Sequence, residues 1–296
     1  MLSPSVLRAR LRTAPREETV PSPDRPRLHM GGGASKNRAQ SAAPKTDAAV
    51  AAKLGKVLAT GNITKVILIR HANAKPRDPE AAAVEAGQVL KPETPFANAW
   101  TVGDLVRPLT EKGEQQAADS KAAYLDSYAL KAVICSEAER AIKTKEIMTQ
   151  GLGFEAGQPG VLTLHTLHPS RSGTPNCEKM FDTLGYGPLT KFYQDTTVEG
   201  LEGKGKETFR EYVTKVTGEL HVLISSGQAS FKQEGDTVAI FGHAVFLNAV
   251  AVAVAEAMAI PNADDVVAVL ELGEAQGILC DAAAKNVTLL TAPPAA

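Results

Sequence analysis

The chain has 296 residues, a formal net charge of −1 at pH 7 and 44% apolar residues. That balance offers no broad basic field for nucleic acid, and the longest apolar run, Ala249 to Ala255, is far short of the roughly 18–20 residues of a membrane span. Cys135, Cys177 and Cys280 are widely spaced and odd in number, which fits neither a disulfide framework nor a CxxC metal site and points to reduced thiols, with burial expected for Cys135 in its apolar run.

Residues 1–60 read as an arm, disordered or targeting, ahead of one domain over 61–290 and a short tail over 291–296. Residues 1–16 hold Arg8, Arg10, Arg12 and Arg16 and no acid, a composition compatible with an organelle transit peptide. They lack the apolar core of a secretory signal. Residues 20–46 are rich in Pro, Gly, Ser and Ala and are expected to be disordered. Within them, Met30-Gly31-Gly32-Gly33-Ala34-Ser35 matches the myristoylation pattern. That pattern acts only if Met30 is the true start; otherwise the segment is a flexible linker. The expected location is cytoplasmic, with an organelle reached through residues 1–30, or a membrane reached through Gly31, as alternatives. A helix is expected over 47–59, with Asp47 as its N-cap.

Past residue 60 strands and helices alternate. Strands are predicted over 65–70, 131–135, 161–165, 237–241 and 266–272, with a late edge strand near 277–280. Several are continuous apolar runs, as expected for strands covered on both faces. Helices are predicted over about 110–128, 137–150, 206–227 and 243–258. The βαβα rhythm predicts a three-layer α/β/α domain with a mainly parallel central sheet. Residues 73–108 and 166–205 are long Pro- and Gly-containing insertions that follow strand ends, so both are placed to overhang the same edge.

The first strand ends in Arg70-His71. Open α/β sheets bind ligands at that carboxyl edge. Arginine supplies a planar, always-charged fork for phosphate oxygens, and a neutral imidazole nitrogen can attack phosphorus. Three further segments fall in order behind this pair: Leu109-Thr110-Glu111-Lys112-Gly113-Glu114-Gln115-Gln116-Ala117, Ser136-Glu137-Ala138-Glu139-Arg140-Ala141-Ile142-Lys143-Thr144, and Gly242-His243. Together with Arg70-His71-Ala72 they resemble the motifs of the histidine phosphatase superfamily, also called phosphoglycerate-mutase-like, over roughly residues 65–250.

The resemblance implies a catalytic set of His71, Arg70, Arg140 and His243. His71 is the implied nucleophile, and the other three hold phosphate oxygens. It implies no metal and no cofactor. Asn73, Arg77, Ser136 and Ala244 are candidate substrate-binding residues. Gly113 and Gln116 read as helix start and packing, and Thr144 as a residue that bonds back within its helix. Trp100 is either a pocket residue or a packing anchor.

The chain departs from the pattern at the acid that protonates the leaving oxygen. The mutase branch has a Glu roughly 25–30 residues after the second arginine, but Leu164-His165-Thr166-Leu167-His168-Pro169-Ser170-Arg171 holds no carboxylate. The acid-phosphatase branch has it directly after the second histidine, where Ala244 and Val245 stand here. His168 is the acid/base candidate, with Glu178 or Asp182 as substitutes from the second insertion. In lacking the acid the chain is most similar to the phosphohistidine phosphatases of the superfamily. The expected function is a metal-independent phosphatase working through a phosphohistidine intermediate. Its partner is a phosphoprotein or phosphorylated small molecule. A non-catalytic phosphate sensor or scaffold is the alternative, and a mutase is disfavoured.

Overall fold

A computed structural model describes residues 46–76, 104–168, 171–184, 187–194, 197–261, 267 and 270–291. The strands are β1 (Lys65–Arg70), β2 (Leu130–Cys135), β3 (Val161–Thr163), β4 (Thr237–Gly242), β5 (Gly277–Asp281) and β6 (Asn286–Leu290). The helices are α1 (Ala48–Thr60), α2 (Glu111–Tyr124), α3 (Glu139–Thr149), α4 (Pro175–Leu184), α5 (Thr190–Tyr193), α6 (Gly205–Gly227) and α7 (Ala244–Ala257).

The strands form one sheet in the order β3-β2-β4-β1-β5-β6. β3, β2, β4 and β1 are parallel, while β5 and β6 join antiparallel. Side chains alternate between two cores, as the pleat requires. Val66, Leu68, Ala132, Ile134, Val238 and Ile240 face one core, shared with α1, α6 and α7. Ile67, Ile69, Val133, Cys135, Ala239 and Phe241 face the other, shared with α2 and α3. The three-layer α/β/α expectation therefore holds, and the continuous apolar strands are explained by helices on both faces.

Most predicted elements are present, with differences of physical interest. The segment 266–272 is not a strand among its described residues. Val267 is fully buried and helical rather than extended, and Asn248 Nδ2 donates to the carbonyls of Val267 at 3.2 Å and Leu270 at 3.0 Å. A side chain thus satisfies backbone acceptors that a ladder would otherwise take. The 277–280 strand is β5, paired on both sides, and β6 is the edge. The strand expected over 161–165 stops at Thr163 and turns into a short 3-10 helix, His165–Leu167.

Asp47 caps α1 as expected, accepting from Ala49 N–H at 2.9 Å. The domain division at residue 60 leaves this helix on the side of the arm. In the structure Leu54 and Leu58 lie in the core, and α1 runs so close to α7 that a Cβ on Gly55 would stand 2.5 Å from the Ala257 carbonyl oxygen. All three cysteines are buried, and burial pushes the Cys135 and Cys280 thiols up to about 12. No helix among the described residues is long and apolar enough to cross a membrane.

The segment leading into α2 explains its sequence motif. Thr110 N–H donates to the Asn73 carbonyl at 3.0 Å, and Thr110 Oγ1 donates to Asn73 Oδ1 at 2.6 Å while accepting from Gly113 N–H at 3.0 Å. Asn73 N–H donates to Gln116 Oε1 at 2.9 Å. A Cβ on Gly113 would fall 2.0 Å from the Asn73 carbonyl oxygen, so only glycine fits there. These residues clamp the loop that follows His71, as their reading as helix start and packing anticipated.

Candidate active site

The carboxyl ends of three adjacent strands are stitched side by side. His71 N–H donates to the Gly242 carbonyl at 2.9 Å, and Ser136 N–H donates to the Phe241 carbonyl at 2.9 Å. Ala72 N–H donates to Thr144 Oγ1 at 3.1 Å, and Thr144 Oγ1 donates back to the Arg140 carbonyl at 2.7 Å. This register places His71 after β1, Ser136 after β2 and His243 after β4, with Arg140 in the first turn of α3.

The hydrogen bonds assign the histidine tautomers. His71 Nδ1 lies 2.7 Å from the Ala72 carbonyl oxygen. A carbonyl only accepts, so Nδ1 carries the proton. Nε2 is then an acceptor, and Arg140 Nε donates to it at 3.1 Å. Burial, followed by the Arg140 charge, holds the His71 imidazole well below its ordinary pKa, with smaller contributions from Arg70 and Arg107 and an opposing pull from the Ala72 carbonyl. His71 is therefore neutral, with a lone pair on Nε2.

His243 Nδ1 accepts from Arg140 Nη2 at 3.1 Å, which leaves Nε2 to donate to Ser136 Oγ at 3.1 Å. Its ring is 5.1 Å from that of His71, centroid to centroid. Burial and then the Arg140 charge push its pKa well down. His168 is fully buried, with its ring 5.1 Å from that of His243. Burial lowers its pKa as well, against the bond it makes to a carboxylate.

That carboxylate is Asp104, which the sequence reading did not select. Asp104 is 1% exposed. Its Oδ2 accepts from Arg140 Nη2 at 2.8 Å and from His168 Nε2 at 3.0 Å. Its Oδ1 accepts from Arg107 Nη1 at 2.9 Å, and its main-chain carbonyl accepts from Arg140 Nη1. Burial alone would raise its pKa. The His168 bond, the Arg140 charge and the Arg107 bond overcome that and hold the carboxyl far below the usual carboxylate range. Asp104 is thus a permanent anion and acceptor at neutral pH. The sequence offered one signal, the position of Asp104 and Arg107 in the insertion expected to overhang the strand edge.

The remaining candidates divide. Arg140, His71, His243, Ser136 and His168 converge. Arg70 is the last residue of β1 and sends Nη1 to the Leu272 carbonyl at 2.7 Å. Asn73 Nδ2 reaches both Glu274 carboxylate oxygens, at 3.0 and 2.9 Å, while its Oδ1 takes Thr110. Its side chain therefore positions the loop. Ala244 opens α7 and is buried. Glu178 Oε1 accepts from Ser172 Oγ at 2.9 Å, and His165 turns outward to Glu137 at 2.7 Å. Arg77, Trp100, the Asp182 side chain and the Met30–Ser35 motif lie outside the described residues. Among the described residues, no group of three or more His, Cys, Asp or Glu is placed to hold a metal ion.

Comparison with known proteins adds the following. Residues 95–161 match the model of the histidine phosphatase superfamily (branch 1), a stretch that contains the second and third motifs. No curated protein matches. Similar solved structures include an alpha-ribazole phosphatase from Shigella flexneri, 17% identical, covering 77% of this chain and 96% of that one with a TM-score of 0.40. A phosphoserine phosphatase from Entamoeba histolytica is 16% identical, covering 77% and 96%, with a TM-score of 0.41. The protein histidine phosphatase SixA is 15% identical, covering 76% and 93%, with a TM-score of 0.37.

Proposed function

We propose that this chain, whose residues 95–161 match the histidine phosphatase superfamily (branch 1), carries out a metal-independent phosphatase reaction through a phosphohistidine on His71. The observation that supports it most is the neutral, buried His71 with its Nε2 lone pair directed at the Arg140 guanidinium. In the first step that lone pair forms the N–P bond. The bond from phosphorus to the leaving group breaks, and its electron pair departs with the leaving atom. In the second step a water oxygen attacks phosphorus, the N–P bond breaks and its electron pair returns to Nε2, and the water's second proton moves to a phosphate oxygen, so that dihydrogen phosphate leaves. Arg140 and His243 serve as donors for the non-bridging oxygens and Arg70, with Nη1 held by the Leu272 carbonyl, adds positive charge near His71, because phosphoryl transfer needs mainly positioning and charge stabilisation.

The state of Asp104 bears on the substrate. As a permanent anion it cannot protonate a departing alkoxide. His168, the acid/base candidate, has its Nε2 proton directed to Asp104. The reading therefore favours leaving groups that need little protonation: phosphohistidine, acyl phosphates and aryl phosphates, on a protein or a small molecule. Turnover of an aryl phosphate in the presence of a chelator tests it. We expect kcat/KM for the aryl ester to exceed that for an alkyl ester by about 10²–10⁴-fold, the usual worth of a general acid. Equal rates for the two esters would mean that an efficient acid is present and would overturn the leaving-group assignment. The occupation of Arg140 by Asp104 favours the second reading, a non-catalytic phosphate sensor. Phosphate binding without turnover of either ester would establish it instead.

A further inference from the structure

We propose that the Asp104 carboxylate is a built-in competitor for the phosphate site, and that substrate phosphate must displace it from Arg140 before His71 can react. This inference rests on the phosphate-site reading above. It starts from the valences of Arg140. Nε donates to His71 Nε2, Nη1 to the Asp104 carbonyl, and Nη2 to both Asp104 Oδ2 and His243 Nδ1. All three guanidinium nitrogens are engaged. Arg140, Asp104, His71, His168 and His243 are each at most 4% exposed. A phosphate cannot be added to this arrangement; it has to replace an acceptor already there.

Of the acceptors facing Arg140, the two histidines follow strands whose ends are bonded to one another. Asp104 is different. It precedes α2 and takes no part in the sheet, and it is anchored through its own carboxylate to Arg140, His168 and Arg107. It is also the group that resembles phosphate, being an anion with oxygens directed at an arginine fork. A dianion placed against Arg140 with Asp104 still in position would be repelled by it. With Asp104 displaced, the same dianion inherits Arg140 and the His168 N–H. The resting pair explains how Arg140 is tolerated without substrate, since a buried charge needs a partner. It also explains why the nucleophile is masked: Arg140, held by Asp104, donates to the nitrogen that would attack.

The apparent affinity of a site is reduced by the fraction of molecules in the competent state. Asp104→Asn removes the competing charge with little change of shape. Calorimetric titration with inorganic phosphate should show binding at least about tenfold tighter than in the unaltered protein. KM for an aryl phosphate should fall by a similar factor with kcat not reduced. Unchanged or weaker phosphate binding overturns the proposal. So does a loss of kcat at unchanged phosphate affinity, which would move Asp104 into the chemistry.

A measurement on the unaltered protein covers the case in which the variant fails to fold, and separates displacement from a mere gain of positive charge. The His168 Nε2–H proton resonance should shift in step with phosphate occupancy as its carboxylate partner leaves. Phosphate saturation with that resonance unmoved refutes displacement. Absence of phosphate binding by both proteins at tens of millimolar contradicts the phosphate site itself, and the proposal falls with it. Binding with equal affinities contradicts only the competitor.

Discussion

His71→Ala is expected to lower kcat for an aryl phosphate by about 10⁴-fold or more, the scale of losing a nucleophile outright. The size of the effect follows from the site. His71 Nδ1 is tied to the Ala72 carbonyl, so its Nε2, beside Arg140, carries the lone pair, while His243 Nε2 donates to Ser136 Oγ and its Nδ1 accepts from Arg140. His168 is bonded to a carboxylate. His243 Nδ1 also accepts from Arg140, so His243→Ala measured alongside distinguishes the nucleophile from a residue that only positions Arg140. Truncation also leaves Arg140 Nε without its acceptor, so His71→Asn should be measured in parallel, with the unfolding midpoint of each. A His71→Ala protein that is folded and retains activity within tenfold contradicts the assignment of the nucleophile.

Acid is expected to unfold this domain earlier than its carboxylates alone would require. His71, His168 and His243 are buried and neutral, each with its pKa lowered by burial first. The ordinary histidine value is about 6.5. Below it the unfolded chain takes up protons that the native site refuses, so stability falls as pH falls. Each histidine contributes a slope of about 1.4 kcal/mol per pH unit, and the three together about 4 kcal/mol per pH unit until their native pKa values are reached. Asp104 adds in the same direction at lower pH. Its depressed pKa gives stability that is present above the ordinary carboxylate value, about 3.9, and lost as pH falls beneath it. Urea unfolding at pH 7, 6 and 5 measures this, and the expected midpoint drops with each step. Because the nucleophile stays unprotonated, kcat/KM should hold until unfolding sets in. A midpoint that is flat from pH 7 to 5 contradicts the neutral histidine cluster.

Much of the fold was legible because strand burial on both faces writes itself as continuous apolar runs, as in Val66–Ile69 and Val238–Phe241. Residues 266–272 carry a similar apolar composition, but their described residues form no strand, and Asn248, remote in sequence, satisfies the Val267 and Leu270 carbonyls. No local pattern encodes that partner. The site was legible where a residue sits at a fixed offset from a strand end or first helical turn, as His71, Arg140 and His243 do. Asp104 was not, because it reaches Arg140 from an insertion with no periodicity, and its part depends on contacts to Arg140, His168 and Arg107 at separations of 36, 64 and 3 residues. Asn73 shows the converse. Its place two residues after the nucleophile marked it as a ligand, whereas Thr110 and Glu274 hold its side chain as a loop clamp.

The central claim is that His71 accepts a phosphoryl group. Reaction of the purified protein with a radiolabelled aryl phosphate, quenched within a single turnover, tests it most directly. The account predicts label that is stable to base, labile to acid, located on His71 and lost again as phosphate is released. Turnover of the ester with no label on His71 would contradict it.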